Sequence, residues 1–573
     1  MSKHIIGVSA LLVILVSLSC APSPHAAPDA QATSGVAQPS QGMPQHILVV
    51  AVRGEPPSLA SRPVVPFSGS LQRPRELFNA QLDFRDENGK PQAQLAQALP
   101  QLNTATWTVN PDGTMETIYR LKPNLVWHDG EPLTAEDFVF AWRVYSTPAM
   151  GTAATPPVGQ MQEVTAPDPR TVVFHWKQLY PDAASMDRDF QALPEHILGD
   201  QFQSDDATAF TGLPFWSSEY VGLGPYRLTN WVPGSYLEGT AFDSYALGRP
   251  KIDQIKVLFI DNPQTALASL MAGDIHLIAD PLLSASDGQA LEQGWTADQR
   301  GVVLYSPVGL RTGLVQMRPD AVDSPALLDA RVRKAIRFGM DPVAAVDALT
   351  GGKGIVTRTI TSPNVDFYPQ IEGAIEPYSY DPQQARQLME TAGYTTGSDG
   401  LFVDSGGNPV HLSVASSSGD REEMEAGVYA DGLKRAGFNV SQVVVPVQQL
   451  RDPQTRALLS GLQIRGGADR HVSYQSTQIP SPENRWTGDN RGGWSNPDYD
   501  RTYQRYIATL DPTQRIQQLA QLERLISQDA AVIPLMFNVY VVAHIATLSG
   551  PVARQTPRAG DTFLHIEQWA WTS

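Results

Sequence analysis

The sequence predicts a mixed α/β protein built from at least two lobes, and three observations support that prediction. The chain has 573 residues, more than one hydrophobic core usually supports. Strand-like and helix-like apolar patterns alternate along it. The alternation recurs in a second block that begins near residue 329. The recurrence indicates a second lobe.

The first block opens with an apolar, β-branched run, Ile47–Val52, which is typical of a buried strand. Turn residues follow at Gly54-Glu55-Pro56-Pro57. A loop that leaves a buried strand is a common place for ligand contacts. The next predicted elements are strands at 118–121, 171–176 and 255–260 and helices at 135–144 and 263–272.

The second block and the end of the chain continue the same pattern without an internal repeat. Apolar residues at helical spacing predict helices, and short apolar β-branched runs predict strands. The predicted helices are 329–339, 382–392, 421–436 and 512–528, and the predicted strands are 410–414, 440–445, 532–537 and 540–546.

Charge and composition exclude several classes of partner. Hydrophobic residues make up 42% of the chain and charged residues 18%, as in ordinary soluble globular proteins. The formal net charge is −17, and no compact Lys/Arg run offsets it locally. Because such a charge repels phosphate backbones, we expect no nucleic acid partner.

The N-terminus is typical of an exported lipoprotein. Lys3 precedes an apolar run at 5–18 that is too short to span a bilayer and is typical of a signal-peptide core. Ser17-Leu18-Ser19-Cys20 resembles a bacterial lipobox, which implies a signal peptide of residues 1–20 and lipidation of Cys20. The usual pattern has Leu at the position of Ser17 and a small residue at Leu18. Cleavage near Ala26-Ala27 is the open alternative.

Residues 21–46 are rich in Ala, Pro, Ser, Gln and Gly and predict a flexible tether. A coil of this length holds its cargo roughly 25 to 30 Å from an anchor. Cys20 is the sole cysteine, so the sequence excludes an intramolecular disulfide and a Cys cluster for zinc or an iron–sulfur centre. No second run of 18 apolar residues follows.

The most distinctive stretch is His128-Asp129-Gly130-Glu131-Pro132-Leu133-Thr134-Ala135-Glu136-Asp137, preceded by a predicted strand. Asp129-Gly130 is a tight-turn pair, and Thr134 with Asp137 forms a capping-box variant. The stretch therefore predicts strand, turn and capped helix. It closely resembles the family 5 extracellular solute-binding proteins, the group that contains the oligopeptide-, dipeptide- and nickel-binding receptors of ABC importers.

The resemblance continues in order from about residue 47 to beyond residue 534. Gly222-Leu223-Gly224-Pro225-Tyr226 is similar to the family's strand entry, with Leu223 where the family has Thr. The glycines and prolines of these motifs are interpreted as turn and packing positions. The further matching stretches are Tyr245, Gly248, 251–253, 272–275, 331–336, 380–382, Ala385, 392–394, 493–498 and Asp500.

The resemblance implies a two-lobed periplasmic-binding-protein-like fold of the class II type, with hinge-linked lobes that enclose the ligand. It implies lobe I at 47–298 with an extra subdomain, lobe II at 299–511, and a return to lobe I at 512–573. The implied function is capture of an oligopeptide or dipeptide and delivery to a membrane permease. We expect a monomeric receptor, held at the membrane by its lipid, with no catalytic residue, cofactor or metal.

The resemblance also carries candidate ligand residues. Peptide binders of the family hold the peptide ammonium with an acidic residue in a segment similar to Trp-x-Ala-Asp, and Asp469 matches that residue although Gly466 replaces Trp. A carboxylate facing an ammonium gives a charge-assisted bond. Arg465 is a candidate for holding a carboxylate. A solvent-facing Asp469 and a surface ion pair at Arg465 are the open alternatives.

Trp486 and Trp494 lie in a loop-rich stretch with Asn484, Gly488 and Asn490. Their flat amphipathic side chains are candidates for the walls of a ligand pocket. Core or surface-loop packing is the alternative for each.

Other functions stay open at this point. The chain has no His-Glu-x-x-His, Gly-x-Ser-x-Gly, Walker A or Ser-x-x-Lys motif, so an enzyme such as a hydrolase has little support. Its 11 His are spread singly, without metal-ligand spacing, although nickel carriers share the fold. An oligosaccharide receptor and a tethered sensor or adhesion lipoprotein are further alternatives, because fold does not fix function.

Overall fold

The computed structural model describes residues 47–60, 73–150, 156–186, 189–202, 207–296, 299–467 and 470–572. All of them belong to one compact unit. The signal segment, Cys20, the tether and Asp469 lie outside the described residues.

The strands are numbered in chain order. They are β1 (Ile47–Val52), β2 (Asp83–Arg85), β3 (Pro91–Ala93), β4 (Trp107–Val109), β5 (Met115–Arg120), β6 (Met161–Asp168), β7 (Thr171–Trp176), β8 (Tyr226–Val232), β9 (Tyr236–Ala241), β10 (Gln254–Phe259), β11 (Leu277–Leu283), β12 (Gly301–Val315), β13 (Ile355–Val356), β14 (Thr395–Thr396), β15 (Phe402–Val403), β16 (His411–Ser417), β17 (Asn439–Val445), β18 (Leu462–Gly466), β19 (Val532–Ile545), β20 (Leu548–Ser549) and β21 (Ala570–Trp571).

The α-helices alternate with these strands. They are α1 (Glu136–Ser146), α2 (Glu195–Phe202), α3 (Ala207–Thr211), α4 (Pro263–Ala272), α5 (Ala285–Trp295), α6 (Ala330–Gly339), α7 (Pro342–Thr350), α8 (Tyr368–Glu372), α9 (Pro382–Thr391), α10 (Asp420–Ala436), α11 (Pro453–Ala457), α12 (Pro497–Tyr506) and α13 (Pro512–Asp529).

One hydrogen-bonded sheet runs through the molecule in the order β17-β16-β18-β12-β19-β11-β1-β10-β9-β8, with β13 added on β19. We call the β11-to-β8 end, together with the separate sheet β4-β5-β7-β6, lobe I. The β17-β16-β18 end, together with α6 to α13, is lobe II. Each end has its own parallel pairs, β1 with β10 and β16 with β17.

Two long strands, β12 and β19, connect the lobes. They pair antiparallel along nearly their whole length, with register shifts at Pro307/Gly309 and Arg311/Thr312. The far end of β12 pairs with β18 of lobe II. The far end of β19 pairs with β11 of lobe I. The crossing segments expected between hinge-linked lobes are therefore these two strands.

Each lobe has its own hydrophobic core. The main core of lobe I contains buried aromatic side chains such as Trp127, Trp176 and Trp569, each 0% exposed. The lobe II core lies between its sheet and α6, α9 and α10, around Ile336, Leu433 and other aliphatic side chains. Two cores agree with the expectation from chain length.

The distinctive turn folds as strand, turn and helix. Gly130 takes φ +99°, a left-handed conformation that favours glycine at this tight turn. The Asp137 carboxylate accepts a 2.9 Å bond from the Thr134 N–H and a 3.1 Å bond from the Glu195 N–H. Ala135 occupies the N-cap position of α1 and makes no side-chain capping bond, and the Thr134 hydroxyl contacts only the Asp137 carboxylate at 3.5 Å, so only the carboxylate half of the expected capping box is present.

Helix α13 packs among lobe II side chains through Leu522 and Ile526. The strands differ from the sequence expectation in two ways. The predicted strands 532–537 and 540–546 merge into one continuous strand, β19 (Val532–Ile545), because β12 supplies hydrogen-bond partners along both halves. Strand β12, interrupted by Pro307 and two glycines, is absent from the sequence prediction. Among the described residues, no helix combines the length and apolar character needed to cross a membrane.

A candidate ligand cavity between the lobes

A cavity of about 590 Å³ lies between lobe I and lobe II. Volumes of this size are typical of small-molecule and cofactor sites. Lobe I contributes the β2–β3 turn and the segment after β7, and lobe II contributes the segment before α8 and parts of α12 and α13. The lining comprises Arg85, 88–91, 99–100, 181–182 and 184–185 from lobe I, 360–362, 364–367, His471, Tyr506, Arg515 and Leu519 from lobe II, and 556–558.

Polar contacts join the two lobes at the cavity. Arg515 Nη1 donates to Asp182 Oδ1 at 2.9 Å and Arg515 Nη2 donates to Asp182 Oδ2 at 3.0 Å. Lys90 Nζ lies 2.8 Å from Asp366 Oδ2. These two ion pairs connect lobe I and lobe II at the cavity.

Three arginines act on the Asp182 carboxylate. Burial by itself raises the pKa of Asp182, but Arg515, and more weakly Arg558 and Arg85, lower it below its ordinary value. Burial by itself lowers the pKa of Arg515, because it disfavours the charged guanidinium. The nearby Asp182 carboxylate has the larger opposite effect, so the pKa of Arg515 lies above its ordinary value. The guanidinium carbon of Arg515 also lies 4.7 Å from the centre of the Tyr506 ring.

A buried carboxylate shapes the lobe II wall. Glu523 of α13 is 1% exposed. Its Oε1 accepts from the Thr361 N–H at 2.7 Å and from the Thr361 hydroxyl at 2.6 Å, and its Oε2 accepts from the Ile360 N–H at 3.2 Å. His471 Nε2 lies 3.2 Å from Glu523 Oε1, without hydrogen-bond geometry. Glu523 thus fixes the 360–361 backbone at the cavity edge.

The ligand residues predicted from the sequence are Arg465, Asp469, Trp486 and Trp494. None of the three that the structure describes lines the cavity. Arg465 is the penultimate residue of β18, and its Nη1 donates to the Asp489 carbonyl at 3.4 Å while its Nη2 lies 3.7 Å from Asp489 Oδ1. Asp469 lies outside the described residues, but His471, two positions later, lines the cavity. The structure does not bring Arg465 to the cavity wall.

The two tryptophans have different environments. Trp486 is half-buried and faces the Arg318 guanidinium, whose carbon lies 5.4 Å from the ring centre. Trp494 is 4% exposed in a lobe II core cluster, packs against Tyr499 at 4.9 Å and donates its indole N–H to Asp529 at 2.9 Å. Neither lines the cavity.

Sequence reasoning missed the residues that do line it, among them Asp182, Arg515 and His471. Asp182 and Arg515 are separated by 333 positions, and no local motif pairs them. Of the three, only His471 had a signal in the sequence, because it follows Asp469 by two positions in the segment that resembles the family.

The cavity's described residues do not suggest a metal centre. Among the described residues, no group of three or more His, Cys, Asp or Glu side chains is placed to hold a metal ion. The polar groups at the cavity are arranged as ion pairs and contacts with the backbone.

Comparison with known proteins gives a family match and several relatives. The family model described as "Bacterial extracellular solute-binding proteins, family 5 Middle" matches residues 97–485, about two thirds of the chain. A Brucella ovis protein, provisionally named as an ABC transporter peptide-binding protein, is 26% identical over 268 residues, 47% of each chain. The chain thus spans about half the length of the Brucella relatives it matches.

Other similarities extend along almost the entire chain. The oligopeptide-binding protein AppA of Bacillus subtilis is 24% identical over 551 residues, 94% of this chain and 93% of AppA. The structure of AppA with a nonapeptide has a TM-score of 0.69 at 21% identity, covering 92% of this chain and 99% of AppA. That of NikZ from Campylobacter jejuni with Ni(L-His) has a TM-score of 0.72 at 20% identity, covering 92% of this chain and 100% of NikZ. These structures confirm the predicted two-lobed fold class.

Proposed function

Since the chain belongs to family 5 of the bacterial extracellular solute-binding proteins, we propose that it captures a peptide between its lobes and delivers it to an ABC permease. The family match confirms the resemblance drawn from the motifs. It also agrees with the expectation of a receptor rather than an enzyme. Capture proceeds by closure of lobe II onto lobe I about β12 and β19, and the closed form docks on the permease.

The cavity of about 590 Å³ is the observation that carries this proposal. Side chains of both lobes line it, so a solute held there contacts both lobes only when they are closed. A ligand that binds the closed state preferentially shifts the population toward that state. Closure is then the signal by which a permease distinguishes loaded from empty receptor.

A peptide is favoured over the other solutes by the relatives. AppA, which aligns over most of both chains, is named for oligopeptide binding. The cavity wall combines apolar surface with charged side chains of both signs, such as Arg558 and Asp366, which suits a peptide with its charged termini and mixed side chains. A nickel complex, by analogy with the ligand of NikZ, and an oligosaccharide are the competing solutes.

Native mass spectrometry of residues 47–573, gently purified, tests the proposal, because the described residues form one compact unit. We expect a ladder of peptide masses to be released on denaturation. A single non-peptide mass contradicts peptide capture and points to another dedicated receptor. Saturating peptide is expected to stabilise the fold by about 2.7 kcal/mol at a hundred times the dissociation constant, measured by chemical denaturation.

We propose that Asp469 receives the ammonium of the bound peptide. The position of His471 on the cavity wall supports this, because His471 follows Asp469 by two positions in the chain. N-acetylated and free peptides of one sequence provide the test. Acetylation is expected to weaken binding to the wild type but to have little effect on Asp469→Asn. An equal effect on both proteins would refute the assignment.

We further propose that Cys20 carries a lipid and that residues 21–46 tether the receptor at the extracytoplasmic face of the membrane. The apolar run at 5–18, which ends within Ser17-Leu18-Ser19-Cys20, supports this. Metabolic labelling with a clickable fatty acid is expected to mark the wild type and not Cys20→Ser. Release of unlabelled wild-type protein cleaved near Ala26 would identify ordinary secretion instead.

A further inference from the structure

We propose that the cavity selects ligands with an aromatic or large aliphatic side chain, which binds against an apolar wall of lobe II formed by Val365, Phe367, Tyr506 and Leu519. This inference rests on the proposed function, since it specifies which peptides the receptor captures. It concerns the side chain that the cavity prefers rather than uptake itself.

The apolar wall is assembled from three parts of lobe II, and all four of its side chains line the cavity. Val365 and Phe367 lie in the segment before α8, Tyr506 ends α12, and Leu519 lies in α13. Phe367, Tyr506 and Leu519 belong to one hydrophobic cluster that is centred on the buried Ile371. The wall is therefore supported from behind by packed side chains, which hold it in place for a ligand.

The segment before α8 supplies the more accessible part of the wall. Leu519 is only 6% exposed, whereas Val365 and Phe367 are half-buried. These two side chains flank Asp366, whose carboxylate lies 2.8 Å from Lys90 Nζ of lobe I. The accessible apolar side chains thus lie beside a contact between the lobes.

Lobe I adds apolar side chains to the same lining, among them Leu99, Pro100, Pro181 and Ala184. Leu99 packs against the main core of lobe I. A ligand side chain held between the lobes is therefore shielded from water by both of them. Burial of apolar surface stabilises a complex roughly in proportion to the area removed from water.

The chemistry of the wall disfavours a polar ligand side chain. Val, Phe and Leu side chains offer no hydrogen bond, and the Tyr506 hydroxyl is the single polar side-chain group of the four wall residues. A charged ligand side chain buried against them would lose its water without an equivalent replacement. Aromatic side chains bury the most apolar area, so the preference is expected to rise from Ala through Leu to Phe.

Isothermal titration calorimetry with the full chain tests the inference. Peptides of one length and sequence are compared with Ala, Leu, Phe or Asp at each position in turn. At one position, the Phe peptide is expected to bind about tenfold more tightly than the Ala peptide, with Leu between them and Asp weakest. Hydrocinnamamide and propanamide, which differ by one phenyl group, form a neutral non-peptide pair. Saturation-transfer NMR detects weak binding of the phenyl ring.

Phe367→Ala is the main variant, because it removes the half-buried ring of the wall. It is expected to reduce the ratio of Phe-peptide to Ala-peptide affinity several-fold while leaving the affinity for the Ala peptide nearly unchanged. Val365→Thr adds a hydroxyl to a side chain of similar size and is expected to lower the ratio less. Phe202→Ala is the matched control, since it removes a half-buried ring that packs on the lobe I core and is not among the lining residues. It is expected to keep the wild-type ratio.

The outcomes separate the two proposals. Peptides that bind without preference for an apolar side chain at any position, or best with Asp, overturn the inference and leave peptide capture standing. An unchanged ratio in Phe367→Ala, or in Val365→Thr if Phe367→Ala does not fold, also overturns it.

Failure of every peptide overturns peptide capture, and the amide pair then decides the inference alone. Saturation transfer to the phenyl ring of hydrocinnamamide that falls in Phe367→Ala and not in Phe202→Ala supports the apolar wall. No transfer, or equal transfer in the wild type and Phe367→Ala, overturns it.

Discussion

Arg515 of α13 binds Asp182, which follows β7, through two parallel hydrogen bonds of 2.9 and 3.0 Å. The pair joins lobe II to lobe I at the edge of the cavity. Its side chains are 22% and 34% exposed, so solvent screens the pair only in part. The contact therefore holds the two lobes together at this edge of the cavity.

Asp182→Asn is expected to weaken ligand binding about fivefold, because a partly exposed ion pair contributes on the order of 1 kcal/mol to the closed state. Calorimetry measures the affinity, and small-angle X-ray scattering with and without ligand measures closure. The charge-swapped variant Asp182→Arg with Arg515→Asp is expected to recover part of the loss.

Asp498→Asn, which breaks an exposed pair within α12, is the control for loss of an ion pair as such. An equal loss of affinity in that control would show that the effect does not arise between the lobes. Failure of the charge swap to improve on either single variant would argue against a direct interaction.

Glu523→Gln is expected to destabilise the protein by about 1 to 3 kcal/mol, because the buried carboxylate accepts three bonds from residues 360 and 361. The NH₂ group of the new amide is a donor, so it cannot accept a hydrogen bond from the Ile360 or Thr361 group that it faces. Hydrogen exchange is expected to rise at 360–361 first, and urea denaturation measures the stability. Glu390→Gln, exposed on α9, is the control. Unchanged exchange at 360–361 would show that Glu523 does not hold this segment.

The stability of lobe I is expected to fall between pH 6.5 and about 4. Burial lowers the pKa of His128 from 6.5 to about 4. Its Nδ1 accepts from the Gly222 N–H at 3.2 Å, and its Nε2 lies 3.0 Å from the Gly224 carbonyl. Within that window the unfolded chain takes up a proton that the folded chain does not, so stability decreases as the pH falls, by about 3 kcal/mol.

Denaturant titrations at pH 7 and pH 4.5 measure this dependence. His128→Asn keeps an acceptor for the Gly222 N–H but does not titrate, so it is expected to flatten the profile. His411→Asn, at an exposed position, is the control. Burial also lowers the pKa of His276 and His544, so these residues contribute to the pH dependence in both proteins. The contribution of His128 is therefore the difference in unfolding free energy between wild type and His128→Asn at each pH. Parallel profiles for these two proteins would exclude His128 as a source.

Gly224→Ala is expected to destabilise lobe I by at least about 1 to 3 kcal/mol. A Cβ at this position would lie 2.3 Å from the Asn79 backbone nitrogen and 2.3 Å from the Phe78 carbonyl carbon, so the backbone would have to move. Gly294→Ala is the matched control. A Cβ there meets nothing within 4 Å, and helix α5 favours Ala over Gly. Equal stability of the two variants would contradict the packing role of Gly224.

Local patterns located many elements of the fold. The predicted strand Ile47–Val52 and helix Pro263–Ala272 have the bounds that the structure gives them. The pattern did not reveal β12, because Pro307 and Gly309 interrupt its apolar run and its pairing with β19 compensates for them. It also divided β19 at Asn538, which the same pairing keeps within one strand.

By itself, the sequence determined the family, the two-lobed α/β class and the acidic character of this protein, because motifs, periodicity and net charge are local or additive properties. Tertiary structure decided where the cavity lies and which side chains meet there. Asp182 and Arg515 come together only when the two lobes pack against each other. Pairing across lobes depends on distances between distant segments, which no local spacing of residues encodes.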